Sequence, residues 1–526
     1  MKKNFLKIAG FVGLMAVGMA SCTKDLDRMP TNSITSEVTY KDVAGYKSVL
    51  AKVYGSYATP GNDGINQSDL AGLDPGQGDF LRLFWNAQEL STEEAHCVWN
   101  DPGIPDFHNL NWTSSNVLLA GLYNRSLYQI TVANELIRES SDAKVAGRGI
   151  SGKDAEDIKK YRVEARFLRA FQYWVLLDLF GNPPFVTEND PIGKYIPPQI
   201  KRADLFAYIE KELKEIEPEM IGARQNEYGR ADKAAVDALL ARLYLNAEVY
   251  LGAGKGRYAD AVTYAKAAID GGYTLHPTYK NLFLGDNNLN NPEVILSINY
   301  DGTKTQNNGG TTFLINAAIN ADMNPASFGV PNGGWGGNRA TKNLPDLFTN
   351  VADKRAMFYG DDAEITNVAD FKQGKKITKF RNVTTAGAVI PSPRGDGSSV
   401  DFPLFRLAEM YLIYAEGVKR GGTTGTEAQA LVYLNNLRQR AYGNTSGNIS
   451  SYDLQYVLDE RGRELYWEGF RRTDLIRYDK FTSSTYLWPW KGGVKDGRGV
   501  EAYRKIYPIP STDLTANPSL KQNDGY

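Results

Sequence analysis

Apolar side chains recur at three- and four-residue intervals along much of this chain, the spacing that gathers them on one face of an α-helix. Between Ala234 and Leu251 that face is Val236, Leu239, Leu240, Leu243, Ala247 and Tyr250, and Gly252, Gly254 and Gly256 end it. A second helix is predicted from Tyr258 to Ile269, with Ala261, Val262, Ala265, Ala268 and Ile269 on one side and Gly271-Gly272 as its stop. Small alanines let two antiparallel helices approach closely, as in the helical hairpins of tetratricopeptide-like repeats. The arrangement returns with Leu404, Leu407, Ala408, Tyr411 and Ala415, a break at Gly421-Gly422 and Gly425, and a second stripe of Ala430, Leu434, Leu437 and Ala441. Further helices are predicted at 161–180, where Phe167, Phe171 and Trp174 share a face, and at 204–216. The predicted fold class is mainly α: a scaffold of tetratricopeptide-like helical pairs with long irregular loops and a few short strands. Such scaffolds usually present a surface to a partner.

The irregular segments, about 59–80, 285–345 and 382–402, are rich in Gly, Asn, Asp and Thr. Loops this long are uncommon in compact domains unless they serve a function, which predicts a loop-built binding surface. Two tryptophans stand in such surroundings. Trp335 lies within Asn332-Gly333-Gly334-Trp335-Gly336-Gly337-Asn338, where no regular element can easily bury it. Trp99 follows Cys97-Val98 and precedes Asn100-Asp101-Pro102. Either ring is readable as a loop residue folded back onto the core. Exposed, each would offer a flat apolar face to a sugar ring, whose hydroxyl rim planar polar groups would hold.

The N-terminus gives a location. Lys2, Lys3 and Lys7 precede an apolar stretch from Ile8 to Ala20, too short to span a membrane but right for a signal segment. It ends in Met19-Ala20-Ser21-Cys22, which resembles a bacterial lipobox, so residues 1–21 are read as a lipoprotein signal peptide and Cys22 as the lipidated residue. Residues 22–40 read as a polar, extended tether, and 41–526 as one domain with halves meeting near residue 280. Cys97 is then the remaining thiol, expected to be free and buried.

Composition removes several function classes. Sixty basic and 61 acidic residues leave no basic excess, which argues against nucleic acid as a partner. Three histidines, His96, His108 and His276, are too few for a His-rich metal centre. Glycan hydrolysis needs two convergent carboxylates, yet Glu93-Glu94 and Asp361-Asp362 are sequence neighbours without a hydrolase motif around them. No phosphate-binding glycine loop or nucleophile elbow is present. The chain is expected not to be an enzyme and to require no cofactor.

Several stretches are similar to those of the SusD/RagB family of outer-membrane glycan-binding lipoproteins. They are Cys22 followed by Asp-Leu-Asp and Pro30, VEARFLRAFQYWVLLDLFGNPPF (163–185), GRADKAAVDALLARLYLNA (229–247), DFPLFRLAEMYLIYAE (401–416), ERGRELYWEGFRRTDLIRY (460–478), YLWPWKGG (486–493), and YPIPSTDL through the terminal QNDGY. The resemblance implies a SusD-like domain, anchored by lipid to the outer membrane and facing the exterior, that captures a glycan for a SusC-like TonB-dependent transporter and serves as its lid. Starch or another α-glucan is favoured narrowly, with a different glycan as the alternative. A scaffold for protein partners alone and a surface glycoside hydrolase are minor readings.

Residue by residue, the resemblance matches Trp335 and Trp99 to tryptophans of the aromatic arc in starch-binding members. It matches Arg82 to a hydrogen-bonding arginine, and Asp101, or Asn100 with a one-residue shift, to an asparagine. Two positions depart: Cys97 and Asn308 stand where the arc has a tryptophan and a tyrosine, so half of the stacking surface is expected to be missing. The oxygen-rich run Asp286-Asn287-Asn288-Leu289-Asn290 and the segment Ser399–Asp401 match a structural calcium region, with Asp286 and Asp401 among the carboxylates retained. Tyr486, Trp488 and Trp490 are read as structural, because their block matches the family regardless of ligand.

Overall fold

The computed structural model describes residues 36–526 apart from 63, 64, 66 and 194. The signal segment 1–21, Cys22 and the tether up to residue 35 lie outside the described residues. The tether predicted to run to residue 40 differs at its end. Ser36–Thr39 is a helical turn, and Tyr40 is buried against Tyr46, with ring centroids 4.9 Å apart. An aromatic pair of this kind carries the folded core back to Tyr40.

About 48% of the chain is helical. The main helices are α1 (Val43–Ala58), α2 (Phe80–Glu89), α3 (Val117–Glu139), α4 (Gly152–Leu179), α5 (Arg202–Ile216) and α6 (Lys233–Leu245). They continue with α7 (Tyr258–Asp270), α8 (Gly310–Asn316), α9 (Leu407–Lys419), α10 (Glu427–Tyr442), α11 (Leu454–Leu465) and α12 (Arg471–Arg477). Helices pack in succession: α3 on α4, α4 on α5, α6 on α7, α7 on α9, and α9 on both α10 and α11. The α6–α7 contact is the alanine-rich one, with Ala234, Ala238, Ala241, Ala261, Ala265 and Ala268 all buried.

Two predicted elements change at their ends. The helix expected over 234–251 stops at Leu245 and resumes as Ala247–Leu251, because Asn246 leaves the helical conformation and its Nδ2 donates back to Arg242 O at 2.9 Å. Leu404, placed by its spacing on a helical stripe, belongs to a strand, and α9 begins three residues later. Side chains of Phe402-Pro-Leu-Phe-Arg406 are buried on both faces of that strand, so the run lacks the alternation that marks a half-exposed strand.

Strands are few and short. β1 (His96–Cys97) pairs antiparallel with β3 (Asn338–Arg339), and β2 (Val294–Ile298) with β6 (Phe402–Arg406). β4 (Phe358–Tyr359) pairs with β5 (Lys376–Ile377), and an Ala340–Lys375 bridge joins β3 to β5. Buried apolar residues from Tyr40 to Leu520 form one connected cluster beneath these elements. Among the described residues no helix is long and apolar enough to cross a membrane.

Candidate functional site

The β1–β3 ribbon brings the two tryptophans together across more than 230 residues of chain. Its register opposes Cys97 to Asn338, and Val98 N–H donates to Gly337 O at 2.9 Å, extending the pairing by one step. Trp99 lies just beyond one strand and Trp335 just before the other, with ring centroids 6.5 Å apart and planes tilted by 44°. Both rings are partly buried and partly exposed, so neither is fully folded into the core.

The glycine-rich loop around Trp335 is held by backbone. Trp335 N–H donates to Asn316 O at 2.7 Å, Gly336 N–H to Ile319 O at 2.9 Å, and Gly337 N–H to Ala317 O at 2.7 Å, all at the end of α8. Gly334 sits at φ +75° with Ile319 O against the position a β-carbon would take, so a side chain there would force the loop away. The same short helix contributes Phe313, whose ring is 6.2 Å from Trp99.

Arg82 lies on α2 and is fixed from below. Asp79 caps that helix through its Oδ1, accepting from Arg82 N–H at 3.2 Å, and the same oxygen accepts from Gly310 N–H at 3.0 Å. One carboxylate therefore ties the start of α2 to the start of α8. The Arg82 guanidinium sits 4.5 Å from the Phe313 ring and 5.8 Å from Trp99. Its Nη1 donates to Gly76 O at 2.7 Å and Asn308 O at 2.9 Å. Burial lowers its pKa from the ordinary value, opposed by Asp79, Cys97, Asp101 and Asp74.

Asn308 is therefore in the same group, and its Oδ1 accepts from Arg394 Nη2 at 2.6 Å. Arg394 also pairs with Asp396 at 3.0 Å, and its carbonyl accepts from Asn332 Nδ2 at 2.9 Å. Asn100 and Asp101 are exposed immediately after Trp99. Trp335, Trp99, Arg82 and Asn308 thus converge, with Asn100 and Asp101 at the margin. The sequence reading missed Phe313, Arg394, Asp396 and Asn332. An Arg and an Asp set among Pro, Ser and Gly in the loop 382–402 were the available signal.

Cys97 is free and buried, and burial pushes its thiol up to about 12. It presents no surface to a ligand. Beside it His96 stacks on His108 at 4.0 Å, and burial lowers both, His108 to about 4, which leaves the pair uncharged at neutral pH. Trp488 is buried, Tyr486 OH donates to Glu93 at 2.7 Å and Trp490 Nε1 to Ile365 O at 2.8 Å, which fits a structural block.

The two candidate calcium carboxylates are engaged by protein donors. Asp286 accepts from the backbone and hydroxyl of Thr385 at 2.9–3.0 Å. Asp401 accepts from Tyr300 N–H at 2.7 Å and Tyr228 OH at 2.8 Å. Among the described residues no three acidic, His or Cys side chains converge as metal ligands. A hard cation needs six to eight oxygens, which these two carboxylates alone do not supply. Glu93 and Glu94 are likewise buried, bonded to Arg471 and to Trp467 N–H, out of reach of a polysaccharide.

Known proteins are similar to this chain in sequence and in fold. A relative from Bacteroides thetaiotaomicron, the starch-binding protein SusD, is 34% identical over 579 aligned positions that span 100% of both chains. The chain belongs to the SusD family. That family's sequence profile matches residues 359–526. A SusD superfamily protein from Parabacteroides distasonis superposes with a TM-score of 0.72 at 19% identity, covering 94% of this chain and 100% of that one. Surface glycan-binding protein A from Bacteroides thetaiotaomicron, solved with laminarihexaose, gives 0.67 at 20% identity, covering 91% and 99%. Both neighbours share the mainly helical fold with few short strands.

Proposed function

We propose that this SusD-family chain is a non-catalytic glycan-binding lipoprotein. It is anchored through Cys22 to the outer membrane, faces the exterior, and delivers its glycan to a SusC-like TonB-dependent transporter as the lid. The observation that carries the ligand class is the Trp99–Trp335 pair, partly exposed and ringed by Arg82 and Asn308. Aromatic faces next to fixed planar polar groups suit the apolar face and hydroxyl rim of a sugar. The starch-binding name of the 34%-identical relative favours an α-glucan.

A non-starch glycan is the second reading. It is favoured by Cys97, which is buried, and by Asn308, whose oxygens serve Arg82 and Arg394. Two arc positions therefore supply no ring. A structural neighbour in complex with laminarihexaose is consistent with other glycans on this fold.

The test is native affinity electrophoresis of residues 23–526 in gels with amylopectin, pullulan, dextran, levan or laminarin, beside Trp335→Ala and Trp99→Ala. Retardation by amylopectin or pullulan that both substitutions abolish supports the α-glucan reading. Retardation only by another polymer moves the ligand to the second reading, and none in any gel overturns the ligand class. Release of reducing sugar from a bound polymer would contradict the non-catalytic role. Co-purification of the lipidated chain with a barrel protein tests the transporter.

A further inference from the structure

The residues around the tryptophan pair close into a circuit. Trp335 meets Trp99 at 6.5 Å, Trp99 lies 5.8 Å from the Arg82 guanidinium, and Arg82 bonds the Asn308 carbonyl at 2.9 Å. The Asn308 side chain then accepts from Arg394 at 2.6 Å, and the Arg394 carbonyl accepts at 2.9 Å from Asn332, three residues before Trp335. The enclosed patch has an aromatic half and a polar half, and Arg394 terminates the polar half.

Arg394 is oriented but only partly used. Its Nη2 donates to Asn308 Oδ1 and to Asp396 Oδ2, and two acceptors on one nitrogen fix the guanidinium plane. Its Nε and Nη1 have no protein acceptor among the described residues, and the side chain is 25% exposed. Arg125, a buried arginine, spends its Nε and Nη2 on Gly78 O and Pro60 O, with Nη1 3.6 Å from Asp69. Arg394 differs in being partly exposed, and its own backbone is tied to the Trp335 loop through Asn332.

We propose that Arg394 determines which glycan this site accepts, its free Nε–H and Nη1–H donating to neighbouring hydroxyls of the sugar unit that stacks at Trp335. The inference rests on the glycan-binding reading above and adds the polar contact that selects the ligand. Asp396 neutralises the guanidinium at 3.0 Å. The hydroxyls of an uncharged sugar therefore suit this edge better than the carboxylate of a uronic acid.

The experiment is affinity electrophoresis of residues 23–526 in gels containing amylopectin, pullulan, laminarin or polygalacturonate. Wild type, Arg394→Ala, Arg394→Lys, Asp396→Asn and Trp335→Ala are compared, with a thermal melt of each. Arg394→Ala and Arg394→Lys are both expected to weaken retention by the neutral glycan about tenfold, since a lysine cannot present two oriented donors. Asp396→Asn is expected to gain retention by polygalacturonate, a change of preference that a loop-holding role would not produce. Unchanged binding by Arg394→Ala while Trp335→Ala loses it overturns the role of Arg394 and leaves the glycan reading standing. Wild type retained by none of the polymers overturns both, and wild type retained by polygalacturonate alone overturns the neutral selection. If Arg394→Ala does not fold, Asp396→Asn decides: an unaltered preference across the gels counts against the proposal.

Discussion

Gly337 makes the space that the Trp99 indole occupies: a β-carbon at Gly337 would lie within 2.5 Å of Trp99 Cζ2. The same residue's carbonyl accepts from Val98 N–H, so the backbone cannot move away without opening the ribbon. Gly337→Ala is therefore expected to displace the Trp99 ring and remove glycan retention as Trp99→Ala does. Overpacking of this kind costs about 1–3 kcal/mol. Affinity electrophoresis with a urea melt of the same sample checks both parts. Full retention by Gly337→Ala would show that the ring position does not matter to the ligand.

Arg82 joins three separate segments, because one guanidinium nitrogen bonds Gly76 O and Asn308 O while the group rests on Phe313. A lysine keeps the charge but not the planar fork. Arg82→Lys is expected to lose about 1–2 kcal/mol of stability, since one buried carbonyl goes unbonded. It should also weaken glycan binding through loss of the Asn308 position. Equilibrium urea unfolding measures the first and the affinity gels the second. Wild-type behaviour in both would place the three segments under other control.

The helices were legible because alanine and leucine stripes at 3.6-residue spacing are local signals. Helices α6, α7, α9 and α10 follow from them to within a few residues. The two-residue strands β1 and β3 were not legible, since a pairing of His96–Cys97 with Asn338–Arg339 leaves no periodic trace at either place. Trp99 and Trp335 were readable singly, as large apolar rings in polar loops, and as members of one arc only through the family resemblance, not from their own patterning. Arg394 was invisible for the same reason: its partners Asn308 and Asn332 are 86 and 62 residues away. Asp286 and Asp401 look like free oxygen ligands in the sequence, and only the fold shows Thr385, Tyr228 and Tyr300 engaging them.

Burial pushes the Asp401 carboxyl up to about 6 from the ordinary 3.8, against the opposing bonds from Tyr300 N–H and Tyr228 OH. Between those two values the folded state holds the proton more tightly than the unfolded one. Stability from this residue therefore falls as pH rises from about 4 to 6, and the burden is complete above 6. Asp401→Asn removes the charge and still offers an oxygen to Tyr300 N–H. Its stability relative to wild type should improve by about 2 kcal/mol between pH 4 and pH 7. Urea midpoints of both proteins across that range test this. A difference that does not vary with pH would rule the titration out, and a midpoint raised by added calcium would show a cation at Asp401.

Glu464 receives three arginines in the core: Arg355 and Arg406 at 3.0 and 2.6 Å, and Arg440. Burial alone would raise its pKa, but the Arg440, Arg406 and Arg355 charges outweigh that and hold the carboxyl well below the ordinary range. Glu460 is depressed to about 2, with burial again opposed by Arg355 and Arg463. A depressed carboxylate stabilises the fold above its unfolded value of about 4.5, and that contribution is lost as pH falls toward 2. The wild-type urea midpoint should therefore drop steeply over this window. Glu464→Gln leaves three buried guanidiniums short of a carboxylate and is expected to lose about 3–5 kcal/mol at pH 7. Because the unfolded wild-type chain takes up a proton at this residue below about 4.5 while the folded carboxyl stays ionised, wild type loses stability that Glu464→Gln never had, and the gap between the two proteins should narrow toward pH 3. A gap of constant size from pH 7 to pH 3 would mean that shape, not charge, makes Glu464 matter.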